Sequence, residues 1–108
     1  MSAIGSFGGN VTATTVSAAT TGKVENATIS IANTEQSHTF PANTKSFLIQ
    51  ARGNGKIKLS FDSGTSGTIF WTIPNGTYYG SPEFSSPSLT IYFQSPVTGL
   101  VVELISWS

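Results

Sequence analysis

Apolar and polar residues alternate in several short segments between about residue 23 and residue 108. Residues 57–61 place Ile, Leu and Phe between lysine and serine, and residues 89–93 repeat the pattern with Leu, Ile and Phe. A period of two residues predicts β-strands with one side on a core and the other facing solvent. The same pattern predicts inward faces for Ala27, Ile29 and Ile31 and for Ile69, Trp71 and Ile73.

Two further segments are apolar on both sides. Residues 47–49 read Phe-Leu-Ile, and residues 100–107 have a single charge, Glu103, among apolar side chains on either face. Continuous apolar runs of this length favour strands that are buried on both faces. We therefore expect residues 47–49 to form a strand buried on both faces, and residues 100–107 to close the chain as a strand that is apolar on both faces.

Turn residues separate these strands. Gly53-Asn54-Gly55 predicts a β-hairpin, because these residues tolerate positive φ, and residues 41–44, 62–67, 74–76 and 95–99 predict further turns or loops. About seven or eight short strands with turns every ~8–12 residues predict an all-β, antiparallel β-sandwich, either jelly-roll-like or immunoglobulin-like. We place this sandwich domain at residues 23–108.

Residues 1–22 have a different composition, dominated by Ser, Ala, Gly and Thr. Such a segment buries too little apolar surface to offset its own ordering entropy. It is either a disordered tail or a flexible N-terminal arm that becomes ordered on a neighbouring molecule. In the second case, Ile4, Phe7 and Val11 are candidate partner-binding residues.

Charge is scarce in this chain. Only 9% of the 108 residues are charged and the formal net charge is zero, whereas soluble domains average ~25% charged residues. Little electrostatic repulsion therefore keeps copies apart. This composition favours a protein that forms homo-oligomers and functions inside an assembly, and it disfavours an isolated monomer.

The residues needed for catalysis or metal binding are sparse. The chain contains no cysteine, a single histidine (His38) and five acidic residues placed singly. A nucleophilic triad, a carboxylate pair and a clustered cation site each need a denser arrangement. We expect a non-enzymatic protein with no catalytic residues, no cofactor and no metal.

Nucleic acid and membrane are not expected as partners. Lys45, Arg52, Lys56 and Lys58 form a small group and no basic stripe, and no apolar run approaches the ~20 residues that span a bilayer. No basic and apolar leader is visible at the N-terminus. We expect synthesis in a cytoplasm.

Aromatic side chains are the remaining candidates for a binding surface. Phe70 and Tyr92 fall on outward positions of their strands, and Tyr78 and Tyr79 begin an irregular stretch, whereas Trp71 shares an inward pattern. Tyr and Phe are enriched at subunit interfaces, and the low charge agrees with that use. The alternative is a platform on which sugar rings stack, so that a glycan remains a second candidate ligand.

Several short segments within about residues 37–108 resemble the small β-sandwich virion proteins of tailed bacteriophages. The segments that carry the resemblance are FPANTKSF (40–47), GKIKLSF (55–61), SGT (66–68), TIPNGTY (72–78) and VELISW (102–107). The resemblance implies a structural role in the virion, with assembly in the host cytoplasm. It supplies no functional residues.

Within that class, a capsid decoration (cement) protein is the first expectation. Such proteins often sit as trimers that bridge capsomers, so the implied partners are the major capsid protein or other virion proteins and further copies of this chain, with a trimer favoured. A neck, tail or fibre adaptor is the first alternative. A carbohydrate-binding, receptor-binding module is the second.

Overall fold

The structure, a computed structural model, describes residues 19–108, which form eight β-strands and no helix. The strands are β1 (Gly22–Thr28), β2 (Gln36–Thr39), β3 (Ser46–Arg52), β4 (Ile57–Ser60), β5 (Trp71–Ile73), β6 (Tyr78–Gly80), β7 (Thr90–Gln94) and β8 (Val101–Trp107). All of the pairings between them are antiparallel.

The strands form two four-stranded sheets. The first sheet has the order β1-β8-β3-β6 and the second has the order β2-β7-β4-β5. The pairings are nested: β1 with β8, β2 with β7, β3 with β6 and β4 with β5. A long hairpin rolled up in this way is a jelly roll. The predicted all-β sandwich is thus confirmed, and the strand order selects the jelly roll over the immunoglobulin-like alternative.

The core lies between the two sheets. Alternate residues of the central strands point into it, as the sequence predicted for residues 57 and 59 and for residues 91 and 93, each at most 1% exposed. Aromatic contact adds to the packing, since the ring centroids of Phe40 and Phe47 lie 4.6 Å apart. The buried apolar residues are Ile29, Phe40, Phe47, Ile49, Ile57, Leu59, Ile73, Ile91, Phe93, Leu100, Val102 and Leu104.

The hairpin predicted at Gly53-Asn54-Gly55 is wrong, although the turn itself is present. Gly53 has a φ of 91°, as a tight turn requires, but β3 and β4 belong to different sheets. The turn at Gly76, whose φ is 81°, likewise leads from one sheet to the other. Turn residues specify a chain reversal, whereas the choice of partner strand comes from long-range pairing. Of the consecutive strands, β4 and β5 alone pair with each other.

The Phe61 ring contacts the core, with its centroid 6.4 Å from that of Phe47, so its inward assignment holds in part, whereas those of Ile69 and Trp71 are wrong. The exposed fractions of Phe61, Ile69 and Trp71 are 49%, 76% and 66%. Phe61 lies beyond the end of β4 and Ile69 lies in the loop before β5, so strand alternation does not apply to either. Trp71 stands opposite Leu59 in register, but β5 is an edge strand with no neighbour on its outer side.

Two smaller corrections concern β1 and β3. Ile31 is 64% exposed, because β1 ends at Thr28 and the chain turns beyond Ile29. The 47–49 segment is not buried on both faces: Phe47 and Ile49 are buried, whereas Leu48 points to the outer side and is half-buried. The first sheet therefore presents apolar side chains to solvent.

The described chain starts beside its last residue. Thr20 and Thr21 both donate backbone hydrogen bonds to the Ser108 carbonyl, and Ser108 donates one to Thr21. These bonds extend the β1–β8 ladder by one step beyond Gly22 and Trp107. The start of the described chain therefore lies at the end of the sandwich where β3 and β8 are also joined through Lys45 and Trp107.

Candidate functional site

The outer side of the first sheet carries a cross-strand row of apolar residues. Val24 on β1, Ile105 on β8 and Leu48 on β3 are consecutive partners in register, and Val24 is 66% exposed. Gly80 continues the row on β6 opposite Leu48 and adds no side chain. We call the outward surface of β1, β8, β3 and β6 the open face.

A polar row lies next to the apolar one on the open face. Glu103 stands between Asn26 and Gln50 in register. Its carboxylate accepts hydrogen bonds from Gln50 Nε2 at 2.9 Å and from Arg52 Nε at 2.8 Å. These two donors hold the pKa of Glu103 below its ordinary value. The two charges on this face thus neutralise each other beside the apolar row.

Two aromatic residues border the open face. Tyr78 on β6 is 63% exposed and Trp107 at the end of β8 is 40% exposed. The Trp107 ring lies against Gly22, where an added Cβ would be 2.5 Å from Trp107 Cζ3, so that only glycine leaves room for the ring. Between the rows is a shallow depression of about 430 Å³ lined by Val24, Leu48, Gln50, Tyr78, Glu103, Leu104 and Ile105.

The outer side of the second sheet is built differently, because the loop of residues 61–70 folds back over it. Ser66 in this loop is fully buried, and its Oγ accepts a hydrogen bond from Gln94 Nε2 on β7 at 3.0 Å. Gly67 lies close to the same side chain, since an added Cβ would be 3.1 Å from Gln94 Nε2. The loop thus shields outward groups of β7 from solvent. We call this the covered face.

Glu35 fixes the covering loop from the opposite side. Its Oε1 accepts hydrogen bonds from Ser66 Oγ at 2.5 Å and Ser66 N at 2.9 Å, and its Oε2 accepts one from Gly64 N at 2.7 Å. The Ser66 hydroxyl, the Ser66 N–H and the Gly64 N–H hold the pKa of Glu35 below its ordinary value. Within residues 19–108, no buried side-chain N or O atom lacks a hydrogen-bond partner.

The aromatic candidates occupy several surfaces. Phe70 is 38% exposed, with Lys58 Nζ 4.8 Å from its ring centroid, and Tyr92 is half-buried on β7, opposite Ser37 and Ser60 in register. Tyr79 faces the interior, where its ring centroid lies 5.9 Å from that of Phe47. Only Tyr78 of these four borders the open face.

The candidates in the N-terminal segment, Ile4, Phe7 and Val11, lie outside the described residues. The residues that shape the open face, Val24, Leu48, Ile105 and Trp107, were not among the sequence candidates. The two-sided apolar character of residues 47–49 and 100–107 was the signal that could have identified three of them. Val24 carries no such signal, because it stands alone between charged and polar neighbours.

The single histidine lies between the edges of the two sheets. His38 Nε2 is 3.1 Å from Glu25 Oε1, and Lys23 Nζ is 3.6 Å from Glu25 Oε2. His38 also packs edge-on against Phe40. These contacts join β1 to β2 along one side of the sandwich, which is a structural use of the imidazole.

The described residues offer no candidate for a metal centre or for a membrane-spanning helix. Residues 19–108 contain no group of three or more His, Asp or Glu side chains placed to hold a metal ion. They also contain no helix long and apolar enough to cross a bilayer.

Comparisons of the whole chain with protein-family models, curated proteins and solved structures found no match.

Proposed function

We propose that this protein is a non-enzymatic structural protein that assembles with copies of itself through the open face. The observation that carries the proposal is the apolar row on the open face, in which Val24 is 66% exposed and Ile105 and Leu48 are half-buried. Apolar surface of this kind is favourably buried on association. On the covered face, the protein's own loop shields the outward groups of β7, while Ile69 and Phe70 of that loop are themselves exposed.

A second copy of the chain is the occupant that fits best. In a contact with two-fold symmetry the same patch packs on itself, so the apolar row of one copy meets that of the other. The outward charges of the open face, Glu103 and Arg52, are already paired within one copy. Stacking two copies therefore brings no unpaired like charges together.

The size of the open face indicates what kind of assembly it supports. Three of its strands are seven residues long and β6 is three residues long, and at a spacing of about 4.8 Å they cover about 380 Å². Two such faces bury about 760 Å², which is roughly half of a standard protein interface. A single contact of this size is weak, and repetition within a larger assembly strengthens it through avidity.

A tailed-phage virion is the assembly we propose, with capsid decoration as the first position and further copies and the major capsid protein as partners. A two-fold contact through the open face makes a dimer the unit, in place of the trimer that the resemblance implies. Support comes from the sequence segments that resemble phage virion proteins and from the strand order of the jelly roll, an architecture found in viral capsid domains. A neck, tail or fibre position shares this support and differs in copy number.

Sedimentation velocity with charged substitutions tests the assembly surface. Val24→Lys buries an ammonium group in the contact, so we expect its association to weaken by about ten-fold or more, since a buried valine contributes about 1.5 kcal/mol or more. Ile69→Lys is the matched control, because Ile69 is at least as exposed as Val24, at 76% against 66%, but lies on the covering loop. A monomeric wild-type protein, or equal effects of the two variants, contradicts the proposal.

Quantitative mass spectrometry of purified virions of the parent phage tests the position in the particle. Hundreds of copies per virion support capsid decoration, and a few to a few dozen support the neck, tail or fibre. Absence from the particle overturns the virion proposal while leaving self-assembly to the sedimentation experiment.

Glycan binding is the second candidate function, favoured by the exposed ring of Trp71. Jelly rolls also serve as lectin domains, and Trp71 and Tyr78 are 66% and 63% exposed. This function predicts saturable binding to immobilised glycans that Trp71→Ala or Tyr78→Ala abolishes. Binding that both variants retain, or no binding by the wild-type protein, contradicts it.

A further inference from the structure

An apolar cavity opens at the end of the sandwich where the described chain begins. Its volume is about 340 Å³, and it is lined by Phe47, Phe61, Tyr79, Ser81, Pro82, Phe84, Ser85, Ser86 and Leu89. None of these side chains is charged. An apolar cavity of roughly 150 Å³ is already large enough to bind benzene, so this one has room for an aromatic side chain.

The walls of the cavity are mainly aromatic. Phe47 and Tyr79 form its inner side, with ring centroids 5.9 Å apart, and the Phe61 centroid lies 6.5 Å from that of Tyr79. Phe61 is nevertheless 49% exposed. A further ring in this cavity would contact several aromatic neighbours and would remove the exposed part of Phe61 from water, and aromatic pairs of this kind are favourable.

Backbone hydrogen bonds place the start of the described chain near this cavity. At the same end of the sandwich, Thr21 bonds to Ser108, Lys45 bonds to the Trp107 carbonyl, and Phe84 bonds to the Lys45 carbonyl. These segments therefore lie side by side in that order. Three steps of about 4.8 Å separate Thr21 from Phe84 by about 15 Å.

The chain upstream of residue 19 contains one aromatic residue, Phe7, with small residues, Gly5, Ser6 and Gly8, around it. Small neighbours allow a ring to enter a cavity without obstruction from adjacent side chains. The segment 1–18 carries no charged side chain, which suits the uncharged cavity. Eleven residues lie between Phe7 and Ala19, and a connection of this length spans up to about 40 Å, well beyond the distance required.

We infer that the cavity between Phe47, Phe61, Tyr79 and Phe84 is a docking site for Phe7 of the same chain. The tether makes this contact intramolecular, and a connection that can span two sites raises the effective concentration of one at the other. The assignment does not depend on the proposed self-assembly, which uses the opposite side of the first sheet and other residues.

Disulfide cross-linking in the full chain tests this docking, because the natural sequence has no cysteine. Ser6→Cys with Ser85→Cys places the thiols beside Phe7 and at the cavity wall, and leaves the Phe7 ring in place. Ser6→Cys with Lys56→Cys is the matched control, since Lys56 is exposed in the turn at the opposite end of the sandwich. Oxidation of dilute protein is followed by intact mass spectrometry and non-reducing electrophoresis.

We expect the cavity pair to form an intramolecular disulfide about ten-fold faster than the control pair, as burial of one phenyl ring implies. Adding Phe7→Ala should reduce its rate to that of the control. Equal rates for the two pairs, or a rate that Phe7→Ala leaves unchanged, overturns the docking of Phe7. Mainly intermolecular disulfides overturn it as well, because they assign the cavity to the segment of a second copy.

Discussion

The covered face and the open face are the outer sides of the two sheets, but a loop shields part of the covered face from solvent, whereas no loop within residues 19–108 shields the exposed Val24 on the open face. On the covered face, residues 61–70 fold back over β7, and buried polar groups hydrogen-bond to one another. On the open face, Val24 is 66% exposed, and Leu48 and Ile105 line a shallow depression. A polar network suits a surface closed by its own chain, and we propose that the apolar row of the open face is closed by association.

The largest effect should come from removing the carboxylate that holds the covering loop. In Glu35→Ala, the Ser66 hydroxyl, the Ser66 N–H and the Gly64 N–H lose their acceptor, and Ser66 is fully buried. We expect the free energy of unfolding in urea to fall by about 2 kcal/mol, because unpaired buried donors are costly. Hydrogen exchange should also accelerate in residues 61–70.

Glu103→Ala on the open face is the matched control for that variant. Glu103 also accepts two side-chain hydrogen bonds, but in a more solvated position where exposed ion pairs contribute little. We expect it to change stability less than Glu35→Ala does. The reverse order would show that the loop does not depend on its hydrogen bonds to Glu35.

A smaller effect is expected from acid. The folded-state pKa of Glu35 lies below its ordinary value, so its stabilising contribution is complete above the unfolded-state pKa, about 4.3. It is lost progressively as the pH falls through the folded-state pKa. The stability difference between wild type and Glu35→Gln should therefore shrink on acidification below about pH 4. A difference that stays constant contradicts the role of the carboxylate.

The smallest effect should come from Gly22→Ala on the open face. The new methyl group would lie 2.5 Å from Trp107 Cζ3, so that the indole must move away from β1. Trp107 is partly exposed, and we expect the free energy of unfolding to change by less than about 1 kcal/mol. Trp107 fluorescence, measured in a Trp71→Phe background, should shift to longer wavelength. Unchanged emission would indicate that the ring does not pack on Gly22.

Local sequence patterns were sufficient for the fold class and for much of the core. Alternation identified the inward residues of β4 and β7, since a strand side chain can point only to one of two faces. It held only in part at Phe61, which lies beyond the end of its strand, and it failed at Trp71, which lies on an edge strand. The hairpin at Gly53 failed because a turn does not specify which strand becomes the neighbour.

The candidate surface was less accessible to sequence reasoning. Leu48 and Ile105 lie in segments that were correctly predicted to be apolar on both sides. The outer side of the 47–49 segment, however, was expected to be buried. Glu35, Ser66 and Gln94 are far apart in sequence and carry no periodic signal. Their hydrogen bonds depend on the path of the covering loop, which only the tertiary structure specifies.

The nested strand order has a consequence for synthesis on the ribosome. β8 (Val101–Trp107) is synthesised after the other seven described strands, yet it lies between β1 and β3 in the first sheet. Until it emerges, the facing edges of β1 and β3 have no partner, and such edges are prone to pair with other chains. Contacts between residues this distant in sequence also form slowly. The first sheet therefore cannot be completed until β8 has left the ribosome.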